Sequence, residues 1–318
     1  MGASLVRVLA ACACAAPGLR TCRAAAGAKS SLAAPDREAR GQWLSEGSVL
    51  LIRNFISKRE ALSLKSTAEK LFAVDNGARW KEAVYNTAFL QGPHARELLT
   101  DDVMALERRI ENVTGIPMHT DEALLMFTRH NPGGLPSGQF VRNAHHDKNL
   151  AERRTVTVLI YLTSARSDAD GGHTVFPTLP RLAKGPAQAG TAAEEDGDPL
   201  TYLKDAFEGA FQSGRRTLSD GEEGALWDRK ALELVKQECA LALEGRSRAL
   251  AVRPRRGTAL VFWHVRPDGT PDPLAWHAGC HAEKGAGRFT AQKFKEPLMG
   301  DAFEDQTSER GPGASPEL

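Results

Sequence analysis

The sequence predicts a mainly β fold with flanking helices, folded as a jelly-roll barrel. Two observations carry this expectation. From residue 122 onward, short runs rich in Val, Ile, Thr, Phe and Tyr alternate with Gly, Pro, Asn and Asp, the pattern of many antiparallel strands joined by turns. Ahead of them stand two capped amphipathic segments whose apolar stripes suit packing against the outside of a barrel. At 318 residues and 42% hydrophobic the chain can bury a sizeable core.

Taken in order, residues 1–40 read as a leader of transit- or signal-peptide type, disordered and apart from the fold. No Asp or Glu precedes Asp36, and Arg7, Arg20, Arg23 and Lys29 are spread through Ala-rich sequence. That is transit-peptide composition, while "VLAACACAAPGL" equally forms a signal-peptide core, and a disordered cytosolic tail is the third reading. Organelle transit stands ahead of the secretory reading because Arg7 leaves only a brief apolar run and basic residues continue beyond it. Cys12, Cys14 and Cys22 lie in this leader, which leaves Cys239 and Cys280, too few for a disulfide-dense scaffold. Their pairing stays open, and the Asn112-Val-Thr114 sequon matters only in the secretory pathway.

The main domain is expected over 41–297. "SVLLIRNFI" reads as a buried strand. "SKREALSLKSTAEKLF" opens with a capping box, Ser57 to Glu60, ahead of Ala61, Leu64, Ala68 and Leu71 at helical spacing. In "TDDVMALERRIENVTG", Thr100 caps, Asp101 and Asp102 suit the positive end, Val103, Leu106, Ile110 and Val113 form a stripe, and Gly115 closes. Seven strands follow: "EALLMFTRH", "QFVRNAHHD", "TVTVLIYL", "HTVFP", "TALVFWHV", "LAWHAGC" and "RFTAQKF". Residues 181–223 break the pattern with small and polar sequence, read as a low-complexity surface insertion with disorder. A helical stretch, "ALWDRKALELVKQECALAL", leads back to the barrel, and 298–318 reads as a loose tail.

Charge excludes some partners. Lys+Arg 41 against Asp+Glu 40 gives a net charge of +1, with no excess to draw the chain to nucleic acid or an anionic membrane. No apolar run approaches the ~20 residues of a membrane span.

The chemistry-bearing stretch is "FVRNAHHDKN". Side chains two apart on a strand share a face, so His145 and Asp147 point together while His146 points away. A His-x-Asp pair supplies two ligands of a facial triad that leaves open positions on Fe(II). The third must come from a distant strand. His94, His119, His130, His173, His264 and His281 are available, but His277 is preferred because a basic residue follows it on the next strand. Arg288 fits that part through its planar fork, with Lys284 and Lys293 as rivals. Zinc is a weaker reading, since no Cys-x-x-Cys pair occurs.

Together these segments resemble the iron- and 2-oxoglutarate-dependent dioxygenases, specifically the prolyl 4-hydroxylase catalytic-domain group. "LLIRNFISKREALSL" resembles that group's opening strand and helix, and "VMALERRIENVTGIPMHTDEALLMFTRHNPGG" its E-R-I segment and the strand after it. "RRTVTVLIYL", "DGGHTVFP", "VRPRRGTALVFW" and "DGTPDPLAWHAGC" resemble further motifs in the same order, so the likeness covers about 48–297 apart from the insertion.

The resemblance implies a double-stranded β-helix, with His145, Asp147 and His277 as iron ligands and no catalytic side chain beyond them. It places Arg288 on the distal 2-oxoglutarate carboxylate and lets Thr174 add a hydroxyl hydrogen bond. It implies Fe(II), 2-oxoglutarate and molecular oxygen, release of succinate and carbon dioxide, and L-ascorbate to rescue uncoupled turnovers. A peptide or protein substrate follows, with peptidyl proline first. The same chemistry on another side chain or a small molecule is the alternative, and a non-catalytic jelly-roll module the third reading; oligomeric state is left open. Three departures stand out. Arg142 occupies the family's tyrosine position, with Phe140 the nearest aromatic; the spacing from His277 to Arg288 is 288 − 277 = 11, one longer than common; and the insertion falls where loops can govern substrate entry.

Overall fold

The computed structural model describes residues 39–297 except 46, 92–94, 121, 123, 134, 136–139, 151–152, 183–198, 213–228 and 286. Nearly all of the leader and all of the tail therefore lie outside the described residues.

Eleven strands are described: β1 (Arg40–Ser45), β2 (Val49–Arg53), β3 (Tyr85–Phe89), β4 (Met126–His130), β5 (Phe140–His145), β6 (Val156–Tyr161), β7 (Thr174–Pro180), β8 (Ala249–Val252), β9 (Ala259–Trp263), β10 (His277–Cys280) and β11 (Arg288–Lys295). They form two antiparallel sheets, ordered β1-β2-β9-β6-β11-β4-β3 and β5-β10-β7-β8. β4 pairs with β11, β5 with β10, β6 with β9 and β7 with β8. This nested pairing, first with last and inward, is that of a chain folded double and wound across two sheets. The fold is therefore a double-stranded β-helix. Among the described residues the sheets stay separate in their hydrogen bonding, so the expected barrel is a sandwich of two facing sheets.

Leu51, Leu159, Tyr161, Leu260 and Phe262 of the larger sheet meet Phe176, Leu179 and Leu250 of the smaller across the interior. The outer face of the larger sheet is covered by helices α1 (Lys58–Asn76) and α2 (Asp101–Thr114). Both start as their sequence dictates. Ser57 Oγ accepts from Glu60 N at 3.2 Å while Glu60 Oε2 accepts from Ser57 N at 2.7 Å, and Thr100 Oγ1 accepts from Val103 N at 3.4 Å. Their stripes, Leu64, Ala68 and Leu71 with Val103, Leu106 and Ile110, pack on Val158, Ile160, Phe289 and Ala291.

The smaller sheet has its own cover, and over 199–212 the structure corrects the sequence reading, while 183–198 and 213–223 of the expected insertion lie outside the described residues. Helix α3 (Pro199–Gln212) lies inside the stretch expected to be a disordered insertion, 181–223. Leu203 and Phe207 are fully buried, and Phe207 stacks on Trp276 with ring centroids 4.5 Å apart. Their spacing of four residues aims both at one face, a signal masked by the polar sequence on either side. Helix α4 (Arg229–Leu243) packs beside α3, and a Cys239–Cys280 disulfide ties it to β10. No helix of the described residues is long and apolar enough to cross a membrane.

Candidate active site

The site lies between the sheets because strand alternation sends consecutive residues to opposite faces. On β5, Ala144 joins the core beneath α3 and α4; on β10, Ala278 does the same. Their neighbours His145 and His277 therefore face the interior, and the register sets the two directly opposite each other. β5 ends at His145, and Asp147 opens a helical turn, Asp147–Leu150, rather than continuing the strand. The acid still returns to His145: Asp147 Oδ1 is 3.3 Å from His145 Nε2, and Oδ2 is 3.8 Å from His277 Nε2. One potential ligand atom from each of the three residues lies within 4.8 Å of the others, and all three side chains are buried.

The donors suit a divalent metal. His277 Nδ1 is 3.0 Å from the Ala275 carbonyl, so Nδ1–H donates there and Nε2 keeps its lone pair for the centre. Burial and the neighbouring His145 push His277 down to about 3, leaving a neutral imidazole. Burial alone would raise the Asp147 carboxyl, but His277, with His145 and His264, holds it well below the usual carboxylate range. Two imidazoles and one carboxylate on one side form the donor set that suits non-haem Fe(II).

His146 points elsewhere. Its Nε2 is 3.0 Å from the Asp272 carbonyl, and its ring lies against His264 and Trp276. Burial, then His264, hold its pKa well below the ordinary imidazole value.

At the other end of the pocket Arg288 opens β11, 4% exposed. Its Nη2 donates to Thr174 Oγ1 at 2.9 Å, Tyr161 Oη is 2.7 Å from the same hydroxyl, and the guanidinium lies over the Tyr161 ring at 5.5 Å. Burial lowers the Arg288 pKa, opposed by Tyr161 and Tyr85, yet an arginine so placed remains a cation. Its buried Nε and Nη1 have no hydrogen-bond partner among the described residues. A desolvated guanidinium with two donors left over can give parallel hydrogen bonds to two oxygens, the pattern a carboxylate offers. His145, Asp147, His277, Thr174 and Arg288 all line one cavity of about 200 Å³.

The two rivals for Arg288 lie elsewhere. Lys284 is exposed in the turn before β11. Lys293 points to the opposite face of β11, 3.2 Å from Glu107 and 3.1 Å from Glu122. In that turn Gly285 and Gly287 both have positive φ. Gly287 is also close to other backbone: a Cβ there would sit 2.4 Å from the His130 carbonyl oxygen.

Sequence reasoning passed over three contributors. Thr157 donates to Asp147 Oδ2 at 2.7 Å and lies 2.7 Å from His264 Nε2, while Tyr161 braces Thr174. Period-two alternation along β6 puts Thr157, Leu159 and Tyr161 on one face, which is the signal that could have found two of them.

Three comparisons bear on this geometry. The family model described as the 2OG-Fe(II) oxygenase superfamily matches residues 125–295. Among curated proteins of Arabidopsis thaliana, prolyl 4-hydroxylase 5 is 26% identical over 270 residues, 81% of this chain and 73% of that protein. Prolyl 4-hydroxylase 2 is 26% identical over 195 residues, 60% of this chain. The chain spans about half the length of this and other curated relatives, 47% in each of two cases. Among solved structures, the viral collagen prolyl hydroxylase of Paramecium bursaria Chlorella virus-1 is 14% identical, with a TM-score of 0.41, covering 80% of this chain and 97% of that one. A Pseudomonas putida prolyl-4-hydroxylase is 13% identical, with a TM-score of 0.40, covering 80% and 95%.

Proposed function

The chain belongs to the 2OG-Fe(II) oxygenase superfamily, and from that premise we propose that it hydroxylates a C–H bond of a peptidyl proline. One observation carries the chemistry. The His145–Asp147–His277 cluster and the unpartnered donors of Arg288 share one buried cavity, which supports a metal at one end and a dicarboxylate at the other.

Iron(II) bound by the three residues would supply oxidation by molecular oxygen, one oxygen atom passing to the substrate C–H and the other to 2-oxoglutarate, which leaves as succinate and carbon dioxide. The protein's own part is to position and to keep dry. Ala275 fixes the His277 tautomer, and Thr157 holds one Asp147 oxygen so that the carboxylate cannot turn. Arg288 and Thr174 would grip the distal carboxylate of 2-oxoglutarate, with Tyr161 fixing the Thr174 hydroxyl. Removal from water strengthens each of these contacts. L-ascorbate, typical of prolyl 4-hydroxylases, is expected to sustain turnover.

The names of the curated relatives support proline as substrate. One feature favours a second reading, the same chemistry on another side chain: Arg142 stands where the resembled group has tyrosine.

The deciding assay measures succinate formed from 2-oxoglutarate with Fe(II), with and without a proline-rich peptide. Stimulation by the peptide, with hydroxyproline in the product, is expected. Succinate that no proline peptide increases would sink the substrate assignment and leave the second reading. No succinate, together with no iron retained by the folded chain, would sink the enzyme reading.

A further inference from the structure

By residue type His264 can ligate a metal, yet it stands outside the His145–Asp147–His277 cluster. It stands just behind it. Its Nε2 lies 3.5 Å from Asp147 Oδ2 and 2.7 Å from Thr157 Oγ1, and Thr157 Oγ1 is 2.7 Å from that same Asp147 oxygen.

The fold fixes this arrangement. β9 ends at Trp263, and alternation sends Phe262 and His264 to the interior face. The His264 backbone is held on both sides: its N–H donates to the Thr155 carbonyl at 2.8 Å, and its carbonyl accepts from Asp272 N at 2.9 Å. The fully buried ring meets Phe262 and His146 edge-on, with centroids 5.3 and 4.7 Å away. β6 pairs Thr157 with Phe262, which sets the Thr157 hydroxyl between His264 and Asp147.

Hydrogen accounting gives the contact a direction. An ionised carboxylate only accepts, so the single Thr157 hydroxyl hydrogen goes to Asp147 Oδ2. The Thr157 oxygen then accepts from His264, which puts the His264 hydrogen on Nε2. His264 Nδ1 is buried and has no hydrogen-bond partner among the described residues. Leaving a buried nitrogen idle is unfavourable, and a phenyl ring would pack there without it. What the imidazole adds is the Nε2–H.

We propose that His264 is a positioning residue for the metal centre, acting through Thr157 to hold the Asp147 carboxylate in its ligating orientation. Each hydrogen bond of the relay, Nε2–H to hydroxyl to carboxylate, polarises the next. The Ala275 carbonyl orients His277 by a single contact, whereas Asp147 is oriented by two in series. The inference rests on His145, Asp147 and His277 being the metal ligands.

Titration of the metal-free full chain with Co(II), followed by its absorption spectrum, tests it. His264→Leu removes the donor and should weaken Co(II) binding about tenfold, the lower end of the range for groups that orient a ligand. His264→Gln, whose amide nitrogen reaches toward the place of Nε2, should stay within about threefold of the original chain. In a Thr157→Val background, His264→Leu should add less than about twofold, because the relay is already cut. A full tenfold loss in that background would show two independent effects and overturn the proposal. A folded His264→Leu chain that binds Co(II) undiminished would overturn it too. So would His264→Gln binding as weakly as His264→Leu, since ring shape would then matter and the donor would not. Shifted Co(II) absorption bands in His264→Leu would make His264 a ligand, which also overturns it. If His264→Leu does not fold, His264→Asn, polar but too short to reach Thr157, takes its place. Co(II) binding that His145→Ala leaves unchanged would refute the ligand assignment itself, and the proposal with it.

Discussion

β11 carries buried cations on both faces, and the two faces treat them in opposite ways. Toward the helices, Lys293 lies between Glu107 and Glu122, and Lys295 donates to Glu122 and to the Pro117 carbonyl. Each lysine there has a carboxylate beside it. Burial nevertheless raises the Glu107 pKa against the pull of Lys293, and burial lowers that of Lys295 against Glu122, so desolvation is only partly offset. Toward the interior, Arg288 has a hydroxyl and an aromatic face but no carboxylate among its contacts with the described residues, and two of its donors are left over. The contrast separates two uses of buried charge. A cation whose counter-ion belongs to the chain is part of the fold, and one whose counter-ion is missing is ready for a ligand.

Breaking the saturated face should have the larger effect. Lys293→Ala leaves Glu107 and part of the Glu122 charge uncompensated in the interior, and breaking such a buried pair costs about 3–5 kcal/mol. Urea denaturation should show a loss in that range, with 2-oxoglutarate affinity unchanged in the folded fraction. A loss under about 1 kcal/mol would mean that water or relaxation replaces the pair.

On the ligand face the order reverses. Arg288→Ala should leave stability nearly unchanged, because it removes a desolvated cation that has no carboxylate partner. It should raise the KM for 2-oxoglutarate by the equivalent of about 2–5 kcal/mol, on the order of 30- to several-thousand-fold, while iron still binds. Arg288→Lys should recover only part, since a point charge replaces a two-pronged fork. Collapse of stability in Arg288→Ala would erase the distinction between the faces.

A smaller effect is expected beside the metal ligands. Thr157→Val keeps the shape but removes a hydrogen bond to the Asp147 carboxylate, worth about 1.5–3 kcal/mol for a charged acceptor. Titration with Co(II), followed by its absorption spectrum, should show metal affinity reduced by about ten- to a hundredfold. His146→Ala, one residue from His145, should leave that affinity nearly intact. Smallest of all, Lys284→Ala should change the KM for 2-oxoglutarate by less than about twofold, because an exposed lysine is already solvated. A steep rise there would move the carboxylate partner from β11 into the turn.

Much of this was legible in the residues. Helix starts at Ser57 and Thr100 are local, set by a hydroxyl within three residues of the N–H that it caps. Strand periodicity separated His145 from His146, although the reason was incomplete: β5 stops at His145, and the chain turns so that Asp147 comes back. Helix α3 was missed for the opposite reason. Leu203 and Phe207 are two apolar positions in a polar neighbourhood, and their partner Trp276 lies about seventy residues on.

The sequence by itself determined what depends on neighbours along the chain: the caps, the alternating faces, and the residue types that can hold a metal and a carboxylate. It favoured Arg288 for that carboxylate without removing its two lysine rivals, and it could not pair Cys239 with Cys280. Those outcomes belong to the tertiary structure, because both depend on which groups meet across the sheets. Lys293 could have served as a carboxylate receptor by type alone. Glu107 and Glu122 removed it from contention, arriving from segments more than 170 residues earlier and fixed by how the helices pack on β11. Arg288 was left facing the cavity with no carboxylate beside it among the described residues, and its removal from water would strengthen its hold on an anion there.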